Sequence, residues 1–478
     1  MTVILFILGL PAVAAILLPL APSHKVGAKT NIGVCMATFC VSLALFFVDR
    51  PTDLLFFIDD FNIYLVVLTT FVGLTTSFFS AGYIAHEIEH KHLDVRNLRF
   101  YHAMFQAFMF TMLLGLVANN LGFLWVAVEG ATLATALMIS LSRTQASIKA
   151  AWKYFILCGV GIALALFGTI LVYLAAQPVM GAGLHAMAWS ELMRWGPQFD
   201  PVLLDLAFVF LLIGYGTKAG LAPLHAWLPD AHGEGPTPVS AVLSGLLLNV
   251  ALYALLRFKM LLVANGKTLA PGPLMIGMGL MSLVLASVML YRRRDIKRMF
   301  AYSSIEHIGL VTFAFGLGGA MANFAGLLHM MLHSLTKSAI FFIVGHVAHV
   351  KGTQNLADLR GLTVSHPPLG WTLVLAMVAI AGLPPLGLFT SEFLMVTTTV
   401  SQAPLLAAPL VLGLLVGFGA LALRLQGLAF GTPRGLVHTG GGGSLVPIYA
   451  HLALVLVAGV YLPAPLVRWF EAVSRLLG

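Results

Sequence analysis

The sequence has 478 residues, of which 59% are hydrophobic and only 9% are charged. Soluble domains carry about 25% charged residues, so a water-soluble multidomain enzyme is excluded and lipid must solvate most of the surface. The net charge of +8 comes without a basic patch interleaved with stacking aromatics, so nucleic acid is not implied. Lys and Arg in short loops between apolar runs instead fit the retention of positive charge on the cytoplasmic side of a membrane. Cys35, Cys40 and Cys158 lie in apolar runs without C-x-x-C spacing. Zinc, iron–sulfur and disulfide frameworks are therefore not expected. No cofactor or metal site is read from the chain, and any electron chemistry belongs to a partner.

A membrane helix needs about 20 apolar residues. Runs of that kind predict an all-α, polytopic membrane protein with fourteen spans, over residues 2–21, 30–48, 60–85, 99–118, 120–141, 147–176, 201–221, 237–263, 272–291, 301–318, 319–350, 368–402, 403–425 and 445–470. The first run has no Lys or Arg before Lys25, so it reads as a membrane helix rather than a signal peptide, which wants a basic start. Leu184–Pro197 is weakly amphipathic and reads as an interfacial segment. The twelfth span is interrupted by Gly382-Leu383-Pro384-Pro385-Leu386-Gly387, and Gly440–Gly443 reads as a flexible linker. With the N-terminus placed outside, seventeen of the 26 Lys and Arg fall on the inside and seven outside, Arg257 and Lys259 among the seven. This bias supports an even helix count with both termini outside. The two cations left over, Lys218 and Lys337, fall inside apolar helices.

Two segments resemble each other: Gly220-Leu221-Ala222-Pro223-Leu224, ending the seventh span, and Gly382-Leu383-Pro384-Pro385-Leu386, within the twelfth. Five helices separate them, and an odd number reverses orientation, so the copies are expected to be inverted. The helix after each is read as closing on Leu256-Arg257 and Leu423-Arg424, with the arginines as anchors. Inverted repeats with paired broken helices mark ion sites in transporters. The expected units are residues 1–98 (three N-terminal helices), 99–263 (first five-helix repeat), 264–425 (second, inverted repeat) and 426–478 (Gly-rich linker and last helix).

A charge at mid-bilayer costs about 2.5–3.5 kcal/mol on insertion scales, so each one needs a partner, water or a function. Glu129 stands at the centre of the fifth span, too far from a loop to snorkel, and reads as a proton site. Lys218 stands beside the first break among small residues. Burial and a nearby carboxylate push a lysine's proton affinity in opposite directions, so a partner gained or lost would make it a switch. His329, His333 and Lys337 repeat every four residues, which puts them on one helix face. Imidazole titrates near neutral pH, so this stripe reads as a proton path. Two histidines so spaced also suit zinc, but no third ligand is evident. His346 and His349 read either as extending the stripe towards the cytoplasmic end or as interfacial residues. Glu392 follows the second break and reads as a proton exit. Asp205 reads as interfacial. His225, Asp230, His232 and Glu234, in the loop after the first break, read equally as an entrance or as a solvated turn. Glu306-His307, after the basic run Arg292–Arg298, reads the same way.

These motifs carry a resemblance. Lys218-Ala-Gly-Leu-Ala-Pro-Leu-His225-Ala-Trp-Leu-Pro-Asp230-Ala-His232, with Gly235-Pro-Thr-Pro238 after it, resembles the signature of the antiporter-like subunits of respiratory complex I and of the Mrp antiporters. Tyr302-Ser-Ser-Ile-Glu306-His307-Ile-Gly309 is similar to the second signature. Its Glu-His form, with Gly233-Glu234, most resembles the F component of hydrogenase-4 and its relatives in group 4 membrane-bound hydrogenases and formate hydrogenlyase-type complexes. The resemblance spans roughly residues 50–430 and implies two inverted five-helix repeats in a fourteen-helix core. It also implies a Glu on helix five, a Lys on broken helix seven, a polar residue on helix eight and a Lys or Glu on broken helix twelve. Glu129, Lys218, Asn249 and Glu392 match those positions, and Lys337 with His329 and His333 matches the central axis. Many complex I relatives place Lys or His where Asn249 stands, and Asn cannot titrate. The expectation is a proton-translocating subunit in a prokaryotic inner membrane. Its expected partners are the bilayer, other membrane subunits and a peripheral redox arm. The alternative is a subunit of an Mrp-type sodium–proton antiporter.

Overall fold

The computed structural model describes residues 1–89, 95–434 and 444–478. The Gly440–Gly443 run, Lys91 and the side chains of Arg96 and Arg99 lie outside the described residues. Among the described residues the apolar runs become twenty α-helices. In chain order α1 to α6 are Thr2–Leu17, His24–Leu43, Asp60–Glu89, Val95–Val117, Leu121–Ile139 and Gln145–Met180. The short α7 (Trp189–Trp195) precedes α8 (Pro201–Ala219) and α9 (Leu228–Glu234). A single span of three pieces follows: α10 (Thr237–Val242), a π-helical turn (Leu243–Leu247) and α11 (Leu248–Asn265). Next come α12 (Gly272–Leu290), α13 (Ile296–Leu317) and α14 (Gly319–Lys351). The series closes with α15 (Leu362–Ser365), α16 (Pro367–Ile380), α17 (Gly387–Gln402), α18 (Pro404–Phe430), α19 (Val446–Val460) and α20 (Ala464–Leu476). Among the described residues there are only isolated β-bridges.

Capping residues set the helix starts. Asn120, Thr144, Asp200 and Asp295 each accept a backbone N–H of the first turn of α5, α6, α8 and α13. Such side chains satisfy donors that a helix start leaves unpaired. The interior is organised by depth. The α10–α11 span is wholly buried and α14 nearly so, whereas α1, α2 and α18 turn most of their surface outward. α14 packs on α3, α10, α13, α16, α17, α19 and α20, which makes it the axis of the bundle. Outward side chains such as Leu5, Ile16, Trp152, Leu412 and Leu415 are apolar, as lipid contact requires.

Among the described residues twelve helices are long and apolar enough to cross a membrane, or thirteen if α19 and α20 count as one span. The interrupted span expected at 368–402 is the pair α16 and α17, broken at residues 381–386. The last expected span, 445–470, is corrected: α19 and α20 meet at 82°. Pro463 starts α20, whose Phe470 and Val473 face the core while Arg468 and Glu471 face outward. This helix straps across the bundle end. Trp469 Nε1 donates to Asp60 O at 2.9 Å, and Asn323 Nδ2 donates to Gly478 O at 2.7 Å.

Arg257 is also corrected. α11 continues eight residues past it to Asn265, so it closes no helix. Its guanidinium is buried and makes a two-pronged pair with Asp59 at 2.7 and 2.8 Å. Phe57, Phe61, Trp189 and Tyr253 ring it, with centroids 4.4–5.0 Å away. Lys259, also assigned to a loop, is buried and donates to Leu477 O at 3.0 Å. Arg424 lies inside α18 and donates to Tyr291 O.

Candidate ion-translocation axis

Lys218 is in the last turn of α8, with its side chain buried. The carbonyl end of a helix favours a cation there. α8 then stops at Gly220, whose φ of +77° is the left-handed conformation glycine adopts without penalty. The Lys218 ammonium donates to Thr132 Oγ1 of α5 at 2.6 Å and to Tyr154 OH of α6 at 2.7 Å. Tyr154 also bonds Thr135 at 2.6 Å. Glu129 lies one turn before Thr132, and its buried Oε2 has no protein partner. Among the described residues no carboxylate lies within 4 Å of the Lys218 ammonium. Thr132 and Tyr154 do not stand out in the sequence, because hydroxyls are unremarkable in membrane helices.

The second break places its charge differently. Gly382, at φ +64°, ends the α16 segment, and Glu392 stands after the break on α17. The Glu392 carboxylate lies against Gly382, where any Cβ would collide with it. Facing it are two histidines. His307 Nδ1 is 3.0 Å from His329 Nε2 and 3.9 Å from Glu392 Oε1, and His329 Nδ1 bonds Ser391 Oγ at 2.9 Å. The His333 ring is 5.5 Å from that of His307, and neither of its nitrogens has a protein partner. One turn further along α14, Lys337 donates to Phe300 O at 2.9 Å. All of these α14 groups are fully buried. Glu306 and His307, read with the entrance loop, sit inside α13: Glu306 accepts from Ser287 at 3.1 Å, and His307 joins the Glu392 cluster.

Asn249 lies between the two ends, on α11. Its amide donates to Ser334 Oγ at 2.7 Å and to Met330 O at 3.2 Å on α14. Ser334 donates to Gly245 O in the π-helical turn. That turn leaves a helical carbonyl free for a partner from another helix, as π-bulges at functional sites do.

The loop after the first break divides. Asp230 accepts from Lys153 at 2.7 Å and from Arg298 at 2.6 Å, and Arg298 also reaches Glu234 at 2.9 Å. His225 meets the Tyr302 ring, 6.1 Å between centroids. His232 is fully buried and stacks on Phe341 at 4.8 Å. Burial, with the Lys337 and Lys297 ammonium groups nearby, holds His232 down to about 3. His349 bonds Glu87 at 2.8 Å at one end of the bundle, and Asp205 accepts from Leu269 N at 2.9 Å. Among the described residues two groups of three side chains have metal-ligating atoms within 4.8 Å of one another: His307, His329 and Glu392, and His86, Glu87 and His349. In the first, the two ring nitrogens already share a hydrogen bond.

A multi-pass helical bundle with two interrupted helices and buried ionisable groups between them has the architecture that marks ion sites in membrane transporters. Residues 118–417 match the family described as NADH:quinone oxidoreductase/Mrp antiporter, transmembrane, and the chain belongs to it. It is 55% identical over 468 residues to the hydrogenase-4 component F homolog of Methylacidiphilum infernorum, covering 98% of each chain. It is 30% identical over 358 residues to the N subunit of the NADH-quinone oxidoreductase of Desulforudis audaxviator, covering 74% of this chain and 68% of that one. Its fold matches a chain of the membrane-bound sulfane sulfur reductase, an archaeal respiratory membrane complex. There the TM-score is 0.87 at 20% identity, with 100% and 98% of the two chains covered. The chain is thus an antiporter-like subunit, of a kind found in multisubunit membrane complexes.

Proposed function

We propose that this chain conducts protons through the membrane part of a redox-driven, hydrogenase-4-type complex, with both termini outside and residues 99–263 and 264–425 as inverted halves. The observation that supports this most is the set of buried ionisable and hydroxyl groups at and between the two breaks: Lys218 on Thr132 and Tyr154, Asn249 on Ser334, Lys337, His333 and the His307–His329–Glu392 cluster. Charges at that depth are costly, and neither Lys218 nor Lys337 has the carboxylate partner within 4 Å that Arg257 has among the described residues. Protons enter near Lys218, from the end that carries Asp230 and Arg298. They pass Asn249 and Ser334 to Lys337, then His333, then the His307–His329 pair, and leave at Glu392. Each imidazole can accept on one nitrogen and release from the other, and the His307–His329 bond holds one proton between two rings. Buried polar atoms without protein partners, as on His333 and Glu129, are ordinarily met by water, which would complete the path.

Glu129 and Lys218 form the switching pair. With the ammonium on Thr132 and Tyr154, the pair is open. Movement of Lys218 towards Glu129 raises its affinity for a proton, and retreat lowers it. Redox chemistry in a partner drives the alternation. The test is to introduce Glu129→Gln and Lys218→Met separately into the assembled complex and measure protons moved per electron. A loss of at least tenfold at unchanged electron flux is expected. An unchanged ratio in both would contradict the proposal. Sodium-dependent pH changes in vesicles without any redox substrate would support the Mrp-type reading instead.

A further inference from the structure

The loop between α12 and α13, the segment after α14 and the inner end of α18 enclose a cavity of about 590 Å³. Five arginines line it: Arg292, Arg293 and Arg294 from the loop, Arg360 from the segment, and Arg424 from α18. Retention of positive charge on one side of a membrane explains basic loops. It does not explain why three segments separated in sequence bring five arginines to the wall of one cavity. Among the described residues none of the five lies within 4 Å of a carboxylate. The nearby acids are engaged elsewhere. Asp295 caps α13 by accepting from Arg298 N at 2.8 Å, and Asp358 accepts from Asn355 at 3.0 Å. Two of the arginines are held in place. Arg424 donates to the carbonyls of Tyr291 and Arg293 at 2.6 and 3.1 Å, and Arg293 lies 4.5 Å over the Tyr302 ring.

The cavity also has an apolar side. Leu423 and Leu428 of α18 complete its wall. From there α18 presents Leu412, Leu415 and Phe418 outward along its length, where lipid chains run.

We propose that this cavity is a binding site for an anionic phospholipid, its phosphate held among the arginines and its acyl chains lying along α18. Guanidinium binds phosphate oxygens through paired N–H donors, and basic pockets between membrane helices bind anionic head groups. The lipid neutralises a cluster of like charges that no protein group offsets. It ties the loop before α13 to α18, beside the helix that carries Glu306 and His307. The site lies outside the proposed proton path and does not depend on it.

The test uses the full-length chain, purified in detergent and stripped of lipid. Binding of phosphatidylglycerol, cardiolipin and phosphatidylcholine is measured by native mass spectrometry and by the shift in thermal unfolding. The two anionic lipids are expected to bind at least tenfold more tightly than phosphatidylcholine. The Arg360→Gln/Arg424→Gln variant is expected to lose that preference, and Arg360→Lys/Arg424→Lys to keep part of it. Equal binding of anionic and zwitterionic lipid by the wild type would overturn the proposal. So would an undiminished preference in a Gln variant whose unfolding midpoint without lipid matches the wild type. Inorganic phosphate at millimolar concentration serves as a separate arm. Stabilisation by phosphate equal to that by lipid, with displacement of the lipid, would make this a free-anion site and overturn the lipid assignment. Loss of the chain from its complex in the Gln variant, without any anionic lipid preference in the wild type, would assign the surface to a protein partner and overturn it as well.

Discussion

The two broken helices read almost alike in sequence, yet they hold charge in opposite ways. At the first break the charge is a cation placed before the interruption, in the last turn of α8, with two hydroxyls as acceptors. At the second it is an anion placed after the interruption, on α17, facing His307 and His329. The first break leads into the short α9 and a surface network around Asp230, whereas the second resumes directly as α17. The arginines that follow differ too. Arg257 is sealed behind Asp59 and four rings, while Arg424 bonds backbone carbonyls at the rim of a cavity. A shared backbone interruption thus supports two chemistries. One end sets a lysine ammonium between hydroxyls, and the other sets a carboxylate before two imidazoles.

The difference between the arginines should appear first in stability. Arg257→Met strands Asp59 and is expected to cost about 3–5 kcal/mol, as removing one partner of a buried pair does. Arg424→Met should cost no more than about 1–3 kcal/mol, the range for a charged donor bonded to carbonyls. Denaturant unfolding in detergent measures both, and equal costs would erase the contrast. The hydroxyls test the charges themselves. Thr132→Val removes an acceptor from the Lys218 ammonium and should cost about 1.5–3 kcal/mol, whereas Ser391→Ala removes a neutral bond to His329 and should cost about 0.5–1.5 kcal/mol. A reversed order would mean that Lys218 is not held as a cation at the first break. The glycines give a small effect on stability but a selective one on transport. Alanine at either Gly220 or Gly382 meets a left-handed backbone, at about 1–2 kcal/mol. Only Gly382→Ala also pushes on the Glu392 carboxylate. Proton translocation should therefore fall further in Gly382→Ala than in Gly220→Ala, and equal losses would detach Glu392 from the path.

Much of this arrangement is legible in the sequence, because charge is scarce and a charge inside an apolar run stands out. Glu129, Lys218, Lys337 and Glu392 are found that way, and the breaks are found because Gly and Pro interrupt hydrophobic runs. The hydroxyls that hold Lys218 are not, since Thr and Tyr in membrane helices carry no distinguishing pattern. Glu306 and His307 follow a basic loop and read equally as an entrance or a solvated turn, and only the packing of α13 on α14 turns them inward. Arg257 reads as a loop anchor because its partner Asp59 is 198 positions away. The bend between α19 and α20 is hidden by apolar residues on both sides of Pro463. The charges at Arg468, Glu471 and Arg475, three and four residues apart, are the available sign of an amphipathic final helix.

Between the two breaks the proposed path depends on Lys337, which has no carboxylate within 4 Å among the described residues and lies one turn of α14 beyond His333 and Ser334. The most direct measurement is the number of protons moved per electron in vesicles carrying the complex with Lys337→Met. A continuous path through this residue predicts that the ratio falls at least tenfold while electron flux and complex assembly are kept. A ratio equal to that of the wild type would show that protons do not cross the bundle along this axis.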